Sequence, residues 1–312
     1  MKTAFLFPGQ GSQAVGMGAD LAAKYPVAFK TFEDANAEVG YKLDTLCFYG
    51  PAERLGQTDI TQPALFTVSV AALRVVSEQG IVAEAAAGHS VGEYAALVAA
   101  GALDFTDGLR LVSQRANAMS RAAARNPGAM AAVLGLTGSL VSDICLEVTS
   151  SGVGIVVPAN FNGGGQVVIS GTSAAVEIAS NVAKERGAKK VIALPVSGGF
   201  HSPLMQGAAE EMRGHLELMD ITDASIPVVA NVTAAYETDS TTIKENLIAQ
   251  LDGPVRWEES IVTLLNDGFD FFIEIGSGSV LSGLIKRISK DVRVYSVSDS
   301  TGVAAVVDAV KN

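Results

Sequence analysis

The chain has 312 residues, 48% hydrophobic and 18% charged, with 22 Lys and Arg against 33 Asp and Glu and a net charge of −11. This length supports a large buried core, as one big domain or a domain with a subdomain, and the composition excludes a disordered chain. The acidic balance disfavours a nucleic-acid binder, which would need a basic surface.

Short apolar runs alternate with longer helical patterns, which predicts an α/β protein with a mainly parallel sheet. In chain order, Thr3–Phe7 reads as a strand ending in a glycine turn, and residues 22–37 and 62–79 read as helices. Residues 83–87 form a strand predicted more by their place before Gly88 than by their alanines, which have little β preference. Helices are expected at 92–100 and 106–124. The next segment, 128–196, has its own order: strand 130–136, helix 140–148, strands 155–157 and 166–169, helix 174–185 and strand 190–195. The two middle strands are joined by the turn-rich Asn160-Phe161-Asn162-Gly163-Gly164-Gly165. That β-α-β-β-α-β order is the ferredoxin-like arrangement. It predicts a small subdomain at 128–196 inserted into a larger domain made of 1–127 and 197–312, which resumes near Ser197 and uses Phe271–Ile275 as another core strand. A cleft between two such units is a usual place for a substrate.

Cys47 and Cys145 are the only cysteines, too far apart for a CxxC pair, a zinc site or a disulfide framework. A reduced, cytoplasmic setting without a metal follows as an expectation. The apolar run at 4–7 is too short for a signal-peptide core, and no apolar stretch is expected to span a bilayer.

Gly88-His89-Ser90-Val91-Gly92 matches G-x-S-x-G. On a sharp strand-to-helix turn, small residues two places either side leave a serine hydroxyl exposed, and the N–H of the next residue, here Val91, points at a developing oxyanion. The bland alternative is a turn of small residues; the strand before and helix after favour the nucleophile. A nucleophilic serine needs a base, and there are 3 histidines. His89 adjoins Ser90 and is expected to pack the elbow. His215 lies in a charged helical stretch and reads as a surface residue. His201 follows the last strand of the 128–196 segment, where α/β active sites gather, and is the expected base. No Asp or Glu declares itself as a third triad member.

On the helix at 106–124, Val112, Ala116 and Met119 form one apolar stripe, Arg110 and Arg121 lie opposite, and Arg115 falls at its edge, about 240° round from Leu109. An inward guanidinium needs an anionic partner. Either a structural salt bridge or a bidentate clamp on a substrate carboxylate fits. Gly9 to Ala14 also fits a weak dinucleotide pattern, G-x-G-x-x-[GA]. The acids about 20 residues on, Glu33 and Asp34, fall in an expected helix where the pattern needs a strand end, so hydride transfer is disfavoured.

In ordered combination, Phe7-Pro8-Gly9-Gln10-Gly11-Ser12-Gln13, Thr61-Gln62-Pro63-Ala64, Gly88-His89-Ser90-Val91-Gly92-Glu93, Gln114-Arg115, Ala159-Asn160-Phe161-Asn162, Phe200-His201-Ser202 and Gln250 with Pro254-Val255-Arg256-Trp257 resemble the malonyl-CoA:acyl carrier protein transacylases and the acyltransferase domains of polyketide synthases. The resemblance covers essentially the whole chain. It implies an α/β-hydrolase-like domain with a ferredoxin-like insertion. It implies Ser90 as nucleophile, His201 as base, an oxyanion hole from the Gln10 and Val91 N–H groups, and a His201 oriented by the Gln250 main-chain carbonyl. Arg115 would bind the malonyl carboxylate, with Met119, Phe200, Gln62, Asn160 and Asn162 around the substrate, and Phe200 would leave no space for an α-methyl group. The substrates implied are malonyl-CoA and the phosphopantetheine arm of acyl carrier protein, with no bound cofactor, in a monomer. Alternatives are a discrete acyltransferase of a polyketide assembly line, a serine thioesterase or hydrolase, and a non-catalytic carrier-docking protein, against which the intact Ser90, His201 and Arg115 argue. An acidic carrier meeting an acidic enzyme needs a local basic patch. Lys184, Arg186, Lys189 and Lys190 form one cluster and Lys286, Arg287 and Lys290 another; Lys189 and Lys190, just before the strand leading to His201, are the expected docking residues.

Overall fold

Short apolar runs become the strands of two separate sheets in the computed structural model, which describes residues 1–196 and 198–311. The expected boundary at Ser197, and Asn312, lie outside the described residues. The strands are β1 (Thr3–Phe7), β2 (Ala85–Gly88), β3 (Ala129–Leu134), β4 (Val156–Gly163), β5 (Gln166–Gly171), β6 (Lys190–Ala193), β7 (Val228–Val229), β8 (Tyr236–Glu237), β9 (Phe271–Ile275) and β10 (Arg293–Val297).

The larger sheet has six strands in the order β10-β9-β1-β2-β7-β8. Its pairs are parallel except β7 with β8. Strands buried on both faces read as continuous apolar runs, and β1 (TAFLF), β2 (AAAG) and β9 (FFIEI) are buried at every position. Alternation sends Phe5, Phe7, Ile273 and Ile275 to one core and Ala4, Leu6 and Phe272 to another on the opposite face. The smaller sheet has four strands in the order β4-β5-β3-β6, all antiparallel. The helices Gly138–Ser150 and Ser173–Glu185 pack on one face of it, around Val133, Ile144, Ile169 and Val176. Met130, Ala132 and Val168 point the other way and join the main core.

The structure corrects several expected elements. The helix expected at 22–37 is two helices, Ala19–Lys24 and Pro26–Val39. Pro26 forces the residue before it out of the helical region, and Tyr25 is extended at φ −123° and ψ 115°. The 160–165 stretch is not one long turn. β4 continues through Asn160, Phe161 and Asn162, because Phe161 N–H donates to Val255 O (2.9 Å) and Val255 N–H donates to Ala159 O (2.8 Å), which stitches β4 to the main body. The expected helix at 62–79 begins earlier, at Thr58, and carries Pro63 inside it. Contrary to expectation, this 21-residue helix is long and apolar enough to cross a membrane by length and composition. Its most apolar stretch is 89% buried within the fold, so core packing accounts for its character.

Phe272 is fully buried in the second core, on a strand flanked by β1 and β10. Truncating a buried aromatic leaves a cavity and costs about 3–5 kcal/mol. Phe272→Ala should lower the urea midpoint by a corresponding amount at unchanged slope; a loss within about 0.5 kcal/mol, the range of a surface substitution, would contradict this packing.

Candidate active site

β1 and β2 are parallel neighbours, with Phe7 opposite Gly88, so their C-terminal ends deliver two glycine turns to one edge of the sheet. After β2 the chain turns through Ser90 (φ 53°) into the helix Gly92–Ala99. A non-glycine residue in this left-handed region costs about 1–2 kcal/mol, and its neighbours hold it there. Ser90 N–H donates to Asn231 Oδ1 at 2.7 Å, and Asn231 Nδ2 donates to Gly88 O at 2.6 Å. A Cβ on Gly88 would lie 2.0 Å from the Gly92 carbonyl, and one on Gly92 would lie 2.1 Å from Phe7 O. The spacing of the motif is therefore a packing requirement of the turn.

Ser90 Oγ lies 2.8 Å from His201 Nε2, and His201 Nδ1 lies 2.8 Å from Gln250 O. A carbonyl only accepts, so Nδ1 carries the proton and Nε2 is free to accept from Ser90. Burial, and then the nearby Arg115 cation, push the imidazole down to about 3, so it is neutral near pH 7.

Arg115 has no exposed surface. The helix Phe105–Arg125 points it under the serine, where Nη2 donates to Ser90 Oγ (3.2 Å) and Gln250 Oε1 (2.8 Å), and Nη1 donates to Gln62 Oε1 (2.6 Å). Its Nε–H is buried without a partner among the described residues. Among the described residues no carboxylate forms an ion pair with it, which removes the structural salt bridge from the two readings of this arginine. Burial lowers its proton affinity, and Tyr94 and Glu93 oppose that.

A cavity of about 90 Å³ opens over Ser90, walled by Gln10, Val91, Met119, Asn160, Phe200 and His201, with Gln62 and His89 beside them. Gln62 reaches Met119 Sδ at 3.5 Å. The cavity adjoins a cleft of about 540 Å³ whose walls include Gln10, Asn160, Asn162, Leu194 and Arg287. Serine, histidine and arginine thus meet at one hydroxyl, at the bottom of a cleft that opens outwards. A neutral imidazole on that hydroxyl can take its proton, and a buried guanidinium beside it can hold an anion.

Other expected residues take different places. His89 packs the elbow as expected, with Nε2 2.9 Å from Asn162 Oδ1 and its ring tilted against Trp257. Lys189 and Lys190 are exposed at the start of β6 and wall neither space, whereas Arg287, from the other basic cluster, walls the cleft. Asn231 carried no sequence signal, since it sits in a loop without a motif. Glu93 did carry one: it is an acid in the apolar helix GEYAALVA, and it is fully buried. The Gln250 side chain is a third omission; only its main chain was expected to act.

A family model described as an acyl transferase domain matches residues 4–307. The chain is 47% identical over 310 residues to a malonyl CoA-acyl carrier protein transacylase of Bacillus subtilis, covering 99% of this chain and 98% of that one. Among solved structures it is similar to an acyl-carrier-protein-S-malonyltransferase from Bartonella henselae, with a TM-score of 0.96 and 42% identity over 100% of both chains. It is also similar to a malonyl-transacylase solved in complex with its type II PKS acyl-carrier protein, with a TM-score of 0.96 and 41% identity over 99% of this chain and 100% of that one.

The neutral burial of His201 makes the fold sensitive to acid. Folded, the ring takes no proton until about pH 3; unfolded, it takes one near its ordinary 6.5. The unfolded state therefore binds more protons as pH falls below 6.5, and stability is lost from there down to the folded value. His89, also pushed down by burial, adds to the same slope. His201→Gln should make stability fall less steeply between about pH 6.5 and 5, by up to about 1.4 kcal/mol per pH unit, measured as urea midpoints. A wild-type slope in the variant would mean that the ring is charged in the fold.

Proposed function

The chain belongs to the acyl transferase domain family, and on that premise we propose that it moves a malonyl group from coenzyme A to the phosphopantetheine thiol of an acyl carrier protein through a malonyl ester on Ser90. The observation that carries this reading is a serine hydroxyl 2.8 Å from a neutral histidine nitrogen and 3.2 Å from a buried arginine.

His201 takes the Ser90 proton as Oγ attacks the thioester carbonyl. The Gln10 and Val91 N–H groups receive the oxyanion, a contribution of about 3 kcal/mol per donor. The tetrahedral species collapses, the carbon–sulfur bond breaks, and the imidazolium returns its proton to the departing coenzyme A thiolate. The carrier's thiol then gives its proton to His201 and attacks the malonyl ester; the ester carbon–oxygen bond breaks and His201 passes that proton to the departing Ser90 Oγ, so the kinetics are ping-pong. Gln250 O stabilises the imidazolium through Nδ1–H. Arg115 holds the malonyl carboxylate, exchanging its contact with Oγ for the substrate and offering its unpartnered Nε–H. Met119, Gln62 and Asn160 shape the acyl space, Asn162 holds His89 behind it, and Phe200 closes the wall against an α-methyl branch. Every step uses the chain's own residues and its two thioesters.

The pathway is fatty acid synthesis. A polyketide role is the second reading, supported by the 41% identity to the malonyl-transacylase solved with a type II PKS carrier. A hydrolase is disfavoured by the buried arginine, which no water nucleophile requires. The finer architecture belongs to this reading too: an α/β-hydrolase-like unit of 1–127 and 197–312, and a ferredoxin-like unit of 128–196. The β4-β5-β3-β6 order, with its two helices on one face, supports the second unit. Lys189 and Lys190 are the proposed carrier contacts, exposed on the edge strand that leads towards the cleft; Arg287, in the cleft wall, suits the phosphate of the arm. The enzyme works as a monomer in the cytoplasm.

Brief exposure to malonyl-CoA should add one malonyl group to the wild-type chain and none to Ser90→Ala, read by intact mass. A Ser90→Ala chain that still gains the group would sink the assignment. Arg115→Ala should lower malonyl transfer about 100-fold, the cost of losing a charge-assisted contact. Acetyl transfer, which needs no carboxylate clamp, should be spared or improved. Equal losses for both substrates would make Arg115 a structural residue.

A further inference from the structure

Glu93 follows the elbow glycine and has no exposed surface, yet among the described residues it forms no ion pair. One of its oxygens does all its bonding. Oε2 accepts from Gln250 Nε2 at 2.9 Å and from Asn231 N–H at 3.0 Å, while Oε1 has no partner among the described residues. Those two partners hold the rest of the site. Asn231 brackets the elbow through Ser90 N–H and Gly88 O. Gln250 meets His201 through its main chain and Arg115 through its side chain.

The two ends of the Gln250 carboxamide are not equivalent. Its Nε2 donates to Glu93 Oε2 and Ser90 O, and its Oε1 accepts from Arg115 Nη2. Turned end for end, it would place NH2 against the Arg115 donors and a carbonyl oxygen against the Glu93 carboxylate, two repulsive contacts. Ser90 O alone is a poor substitute for Glu93, because it already accepts from the Glu93 N–H at 3.0 Å.

We infer that Glu93 is a positioning residue, which fixes the orientation of the Gln250 carboxamide and thereby aims Arg115 at the carboxylate of the acyl group. The inference rests on the malonyl-transfer reading above. Glu93 touches neither the hydroxyl nor the cavity; it acts through Gln250 on the arginine and through Asn231 on the elbow. The charged and titratable groups around it are Arg115 on the Phe105–Arg125 helix, Tyr94 beside it in its own helix and Glu237 on β8. Burial raises the proton affinity of both carboxylates.

The test separates aim from fold. Glu93→Ala and Glu93→Gln are compared with wild type for transfer of malonyl and of acetyl from coenzyme A, after thermal melting has established that each is folded. A glutamine's one carbonyl oxygen can accept both bonds that Oε2 accepts. Glu93→Ala should lower kcat/KM for malonyl about 100-fold and for acetyl less than about ten-fold, and Glu93→Gln should recover malonyl transfer to within about ten-fold of wild type. If Glu93→Ala does not melt cooperatively, Glu93→Met, with nearly the same length and no acceptor oxygen, puts the same two ratios to the test. Parallel losses of malonyl and acetyl transfer, no loss of either, or a Glu93→Gln as impaired as the alanine would each overturn the positioning role. The wild-type sample guards the premise. A wild-type chain that takes no malonyl fails the reaction itself and this inference with it, while a malonylated wild type beside an indifferent Glu93→Ala fails only the inference.

Discussion

The structure turns on the burial of one guanidinium. Arg115 has no exposed surface, and among the described residues no carboxylate forms an ion pair with it. Removing such a charge from water is costly unless its donors are met. Here the two Nη groups are met by neutral oxygens, the carboxamides of Gln62 and Gln250 and the serine hydroxyl, and among the described residues the Nε–H is left without a partner. Neutral partners engage the Nη donors without cancelling the charge. The site therefore keeps a positive field aimed at the place where an acyl group would sit.

That field has a consequence for the histidine. A cation near His201 disfavours its protonation, and Arg115 is second only to burial in doing so. The ring is thus a weak base at rest, and its proton-accepting nitrogen stays free. A carbonyl dipole at Gln250 takes the orienting place that a carboxylate fills in other serine sites. A carboxyl group does stand further back, at Glu93, connected through the Gln250 amide.

The two sheets divide the work. The larger sheet supplies the turn after β2, where Ser90 holds positive φ, pinned by Asn231 and by glycine-tight packing; His201, also at positive φ, comes from the chain beyond β6 and is held by Gln250 O. The antiparallel sheet supplies a wall. β4 runs on past its expected end because its backbone pairs with Val255, and that pairing carries Asn160 and Asn162 to the cavity and to His89. Leu194 and Val196, beyond β6, line the same space. A ligand there would touch both units at once.

The sequence by itself determined the local features that have local causes. Gly88 and Gly92 announce a turn that admits no side chain, His201 was singled out from few histidines by its place after a strand, and the helical period turned Arg115 inward. The β-α-β-β-α-β order was legible for the same reason, since strand and helix periods are written in neighbouring residues. Tertiary structure decided what depends on contacts between distant segments. Asn231 lies 141 positions from the serine whose N–H it holds, and nothing near it in sequence marks it. The extension of β4 required a partner, Val255, that its own residues do not reveal. The choice between a salt bridge and an open clamp at Arg115 rested on which groups the fold brings within reach. It brought Gln62 and Gln250 and kept the carboxylates of the described residues out of ion-pair range, because hydrogen-bond partners are set by packing in three dimensions while periodicity reports only which way a side chain faces.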